Sequence, residues 1–183
     1  MRAEDDTGLA IRLDKTTRAL STIDYAHHEA HEGDGYFAIY SAVKNDTATI
    51  EVYVLTPNTT KWAHMLIAVE CSLAGTAQLW EGTTKTYVSG NQIVPFDRNR
   101  NSAKTSGLTI CHTPDGSETG TASMTQYVGA TASGGRVAVG GATGSEREEF
   151  ILKQNTAYLI RGTSRADGNA ISIALSWYEH TNL

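Results

Sequence analysis

The stretch His27-His28-Glu29-Ala30-His31-Glu32 carries side chains that can ligate a metal or move a proton. A metalloprotease helix needs His-Glu-x-x-His, with two ligands one turn apart and the base beside the first. Here His28-Glu29 is followed by a single residue before His31. His27 and His31 have the ligand spacing, but Glu29 is then displaced by one position, and no third ligand can be identified. If the stretch is a strand instead, His27, Glu29 and His31 share a face and can hold a divalent ion. The other reading is that these histidines are hydrogen-bonding residues at an interface. Ligand type without geometry does not choose between them, and no metal or other cofactor is assigned.

The remaining chemistry is sparse. Between Gly129 and Ser145 lie six glycines, yet no lysine follows them as a phosphate loop requires, and the chain lacks the α/β context of a dinucleotide fingerprint. No Gly-x-Ser-x-Gly elbow occurs. Cys71 and Cys111 sit in apolar runs with no basic cluster beside them to lower a thiol pKa, and are expected to be free and buried. With 20 acidic residues, chance carboxylate pairs are certain and none stands out. The run Phe96-Asp97-Arg98-Asn99-Arg100-Asn101 is richer, since its arginines and asparagines offer directional donors for carboxylates or backbone carbonyls of a neighbouring protein. A solvated polar loop is the plainer alternative.

The elements that must position these residues are strands. Ala48, Ile50, Val52 and Val54 alternate with Thr49, Glu51 and Tyr53; Ala63, Met65, Ile67, Val69 and Cys71 oppose Trp62, His64, Leu66 and Glu70. Ile171, Ile173, Leu175 and Trp177 alternate with Ser172, Ala174, Ser176 and Tyr178. Period two over such lengths marks half-buried strands. Shorter candidates cover 36–43, 77–80, 86–88, 92–96, 108–112, 124–128, 150–153 and 157–161. They are separated by turn chemistry such as Asn45-Asp46, Pro114-Asp115-Gly116 and Asp167-Gly168-Asn169. No window holds a helical stripe of useful length. About ten closely spaced strands predict an all-β fold of two sheets packed face to face, a sandwich or jelly roll.

Composition sets the outer limits. At 183 residues one domain suffices, and it can bury roughly 70% of its unfolded surface without a staple. Net charge of −5 argues against nucleic acid as principal partner, because phosphate binding wants a basic stripe. Apolar runs fall short of a bilayer span and the N-terminus lacks the order of a secretory signal, so synthesis in a cytoplasm with no membrane partner is expected. Residues 1–22 differ in character: only Leu9, Ile11 and Leu13 alternate there, among charges of both signs. They read either as an extended arm that adds to a neighbouring copy's sheet edge or as a frayed terminus. The domain expected is a β-sandwich over 23–183.

The order of features adds a further expectation. A His-rich stretch runs into an aromatic strand at Gly35-Tyr36-Phe37. The loop Arg98-Asn99-Arg100-Asn101 precedes a strand and a Pro-Asp-Gly turn, and Trp177-Tyr178-Glu179 closes the chain. From about Thr22 to Glu179 this resembles tailed-bacteriophage capsid decoration, or cement, proteins. The resemblance implies a jelly-roll sandwich that forms a homotrimer on the outer surface of a phage head and bridges major capsid subunits, with no catalysis. On that reading the capsid-facing or subunit-facing residues are Leu9, Ile11 and Leu13 in the arm, with His28, His31, Arg98, Arg100 and Asn101. Two other classes compete: a tail-fibre or receptor-binding domain that takes carbohydrate, and a cupin-like enzyme with a His/Glu metal site.

Overall fold

A strand with one apolar face needs a second layer to cover it, and this chain supplies that layer by sending most successive strands to opposite sheets. The computed structural model describes residues 25–129 and 149–181. After a short helix α1 (Tyr25–Glu32), the strands are β1 (Gly35–Lys44), β2 (Thr49–Leu55), β3 (Lys61–Cys71), β4 (Gly75–Glu81) and β5 (Phe96–Asp97). They continue with β6 (Thr109–His112), β7 (Met124–Val128), β8 (Phe150–Ile151), β9 (Ala157–Ser164) and β10 (Asn169–Thr181). Among the described residues one sheet has the order β5-β1-β10-β3-β8 and the other β6-β2-β9-β4-β7, with every pairing antiparallel. The chain is an all-β two-sheet sandwich. Its eight main strands cross between sheets in jelly-roll order, with β5 and β6 added at the edges.

The alternation read in the sequence fixes which faces meet. Met65, Ile67, Val69, Ile171, Ile173 and Leu175 from the first sheet interlock with Ile50, Val52, Val54, Leu79, Ile110 and Ile160 from the second, all buried. Gly162 stands on the inner face of β9, where an added Cβ would lie 2.8 Å from Ile171 Cγ2. That side chain occupies the space a larger residue would need.

Several expectations change. Residues 86–88 and 92–96 form no ladder of their own beyond the two-residue β5; Thr86 and Gln92 make isolated bridges to Asp115 and Cys111. The segment runs instead from the outer face of the second sheet, where the Val88 N–H donates to Cys111 Sγ, to the edge of β6, where the Ile93 N–H donates to the Ile110 carbonyl at 2.9 Å. Tyr53, on the face of β2 opposite Ile50, Val52 and Val54, is therefore only 5 % exposed, beside buried Cys111, Leu159 and Trp80. Lys85 and Arg161 close this roof on Glu51 at 2.8 and 2.7 Å, and Arg161 lies over the Trp80 ring. Cys71 and Cys111 are free and buried in different sheets, and burial pushes the Cys71 thiol up to about 11. The strand reading of the histidine stretch gives way to helix α1. Leu9, Ile11, Leu13 and most of the glycine-rich stretch lie outside the described residues.

Candidate interaction surface

Helix α1 stops where its sequence changes to Gly33. This glycine has φ +81, and the Gly33 and Asp34 N–H groups donate to the Ala30 and Glu29 carbonyls. That pair of bonds is a Schellman end, which needs the left-handed conformation glycine adopts without strain. Gly35 then lets the helix sit against β1, since a Cβ there would be 3.1 Å from Ala30 Cα. Asp34 locks the junction by accepting Lys61 Nζ at 2.8 Å and Lys104 Nζ at 2.7 Å. Burial works to raise the Asp34 carboxyl, but the hydrogen bonds and charges of Lys104 and Lys61 outweigh it and hold it below the usual carboxylate value.

The 98–101 loop is fastened to the same end. The Arg98 N–H donates to the Gly35 carbonyl at 2.7 Å, and Asn99 Nδ2 donates to the His31 carbonyl at 2.8 Å. Asp97 Oδ1 accepts the Asn99 N–H at 2.8 Å. The two guanidiniums lie over stacked rings: Arg98 over Phe37 and Arg100 over Phe96, with the rings 5.7 Å apart. Arg98 also donates to Ser176 Oγ at 2.6 Å and Arg100 to the Asp97 carbonyl at 3.3 Å.

Of the residues singled out in the sequence, His31, Arg98, Arg100 and Asn101 come together, with His27, around a cavity of about 330 Å³ between α1 and the loop. His27 and His31 stand one helical turn apart with their Nε2 atoms 2.9 Å from each other. His28 does not join them; it is exposed and lies 3.8 Å from both Glu29 and Glu32. In a helix Glu29 no longer shares a face with His27 and His31. Among the described residues, no three His, Cys, Asp or Glu side chains converge as a metal site.

Sequence reasoning missed two neighbouring features. One is an aromatic and polar cluster on β3 and β10. Its His64 and His180 Nε2 atoms are 2.8 Å apart, and the Tyr178 hydroxyl donates to Glu149 Oε1 at 2.8 Å. With Arg98, Ser176, His27 and Ala30 it borders a second cavity of about 330 Å³. The other is the outer face of the first sheet. Phe37, Ser176 and Leu66 lie in one row across it, Ile39, Ala174 and Ala68 in the next, and Ser41, Ser172 and Glu70 in a third. Ile39 is 58 % exposed, Val43 68 % and Phe96 50 %. The signal was present in the outward residues of β1, which are Phe37, Ile39, Ser41 and Val43. Such a row marks an unusual outer face only once the other face is known to be the core.

The described residues include no helix long and apolar enough to cross a membrane. No family model, curated protein or solved structure matches the chain.

Proposed function

We propose that this chain is a non-enzymatic virion structural protein that docks on the outside of a phage head and cements major capsid subunits. The observation that carries this reading is the inequality of the two outer sheet faces. Among the described residues, the 83–93 segment covers Tyr53 and Cys111 on one, leaving Tyr127 exposed at its edge, whereas the other presents Ile39, Val43 and Phe96 among small side chains. Three long strands flanked by two short ones make a face of roughly 600 Å², near what one partner contributes to a standard interface. Exposed apolar side chains gathered on such a face mark an interaction site. The jelly-roll order and the resemblance in the sequence favour a shell as the partner. A homotrimer would present three such faces to a symmetric lattice, so modest contacts add up to firm attachment without catalysis.

Immunogold electron microscopy of the parent particle tests this, with labelling spread over the head as the expected result. Label confined to the tail would favour a receptor-binding domain instead, and no label on any particle would remove both virion readings. Binding to purified shells then tests the face itself. Replacing Ile39 and Val43 together by Asp leaves folding intact because both are exposed. It removes about 1 kcal/mol of apolar burial per site, so binding weakens at least about tenfold.

A further inference from the structure

We propose that the groove between α1 and the 98–101 loop is a receptor for a carboxylate side chain on an acidic segment of a partner protein; as a statement about the docking partner, this rests on the reading above. In a chain of net charge −5, the groove is lined, among the described residues, by His27, His31, Arg98, Arg100 and two asparagines, with no acidic side chain among them. Asp97, which precedes the loop, is buried, and its Oδ2 points beneath Gly33, where an added Cβ would lie 3.3 Å away. Elsewhere the described cations tend to be neutralised: Lys61 and Lys104 on Asp34, Lys85 and Arg161 on Glu51, Lys153 on Glu81. Among the described residues, the acceptors of Arg98 and Arg100 are neutral, a serine hydroxyl and a backbone carbonyl, and these leave most of their donors for a ligand.

The geometry selects the ligand class. A guanidinium fork pairs two N–H groups with two carboxylate oxygens, and the Phe37 and Phe96 rings beneath the forks hold them in place. A cavity of about 330 Å³ takes one such side chain, not a folded element. The loop is held in advance by the bonds from Arg98 to Gly35, Asn99 to His31 and Ser102 to Asn99, so little ordering is required on binding.

The test is an NMR titration of the full-length protein with a capped tetraglutamate peptide and, separately, with inorganic phosphate. Expected are shifts at the Asn99 and Asn101 amides and the His27 and His31 rings. Affinity should fall at least about fivefold in both Arg98→Gln and Arg100→Gln, and fall again as salt rises from about 50 to 500 mM. Lys44→Gln, at the far end of β1, should leave the titration unchanged. Shifts spread over all lysines, loss equal in Lys44→Gln, or no shift at the groove would overturn the proposal. Phosphate binding more tightly than the peptide would also overturn it, by making the groove a general oxyanion site. Shell binding by the wild type is scored independently: its absence sinks the docking reading while leaving peptide binding to stand or fall alone.

Discussion

Glu179 offers the sharpest test of how the sandwich holds its 98–107 connection in place. Its carboxylate is buried near the end of β10. There it accepts Trp177 Nε1 at 2.9 Å, Ser106 Oγ at 2.5 Å, and the Gly107 N–H at 3.2 and 3.0 Å on its two oxygens. Glu179→Ala strands a buried indole N–H, which costs about 1–3 kcal/mol, and removes charge-assisted bonds to two partly solvated donors, about 1 kcal/mol each. The expected loss is about 4 kcal/mol, or roughly 8–16 °C in Tm for a chain of this size. Glu179→Gln keeps one oxygen but turns an amide N–H₂ toward Gly107, and should cost about half as much. Thermal and urea unfolding measure both. Trp177→Phe completes a cycle: with Glu179 replaced by Ala, it removes the orphaned donor and should cost at least about 1 kcal/mol less than in the wild type. A Glu179→Ala loss below about 1 kcal/mol, or additive single changes, would refute the idea that this carboxylate organises the connection.

Two further predictions follow from the packing and the charges. Gly162→Ala drives a methyl group to within 2.8 Å of Ile171 Cγ2 across the core and should destabilise the fold by about 1–3 kcal/mol, with Ile171→Leu, which lacks that branch methyl, in the same chain recovering part of that in urea unfolding. Because the Asp34 carboxyl is held below its usual value, its interaction with Lys61 and Lys104 stabilises the fold above pH ~4 and is lost as pH falls through the folded value. Asp34→Asn should therefore be less stable at pH 7 by about 1 kcal/mol, and the gap should narrow on acidification; a gap constant from pH 7 to pH 2 in denaturant titrations would contradict this.

The long strands were legible because each carries its own burial code. Lys61–Cys71 and the alternation through Ile171, Ile173, Leu175 and Trp177 both appear where the sequence places them. What escaped was set by contacts distant in sequence. Tyr53 looks like an outward residue of β2, and only the 83–93 segment crossing that sheet makes it interior. Helix α1 is eight residues long, too short for periodicity to register, and its stop depends on Gly33 and on Asn99 reaching back to His31. The resemblance put His31, Arg98 and Arg100 in one set, but their meeting in one groove had no signal in the residues themselves, because nothing local joins positions 31 and 98. The β5 pairing of Phe96 with Phe37 brings them together.

The placement of the groove beside the open face has a physical consequence for recognition. Phe37 and Phe96 belong to both: their rings back the guanidiniums and also form one corner of the apolar sheet surface. An apolar face alone sets neither direction nor register, since its attraction depends on area. A charged fork at one corner supplies orientation, because a partner that buries the face while leaving Arg98 and Arg100 desolvated and unpaired loses more than it gains. Contacts of this kind discriminate by penalising the wrong partner. Removing the arginines should therefore relax specificity before it weakens binding, whereas charging Ile39 and Val43 should weaken binding at least about tenfold without changing which partner is preferred.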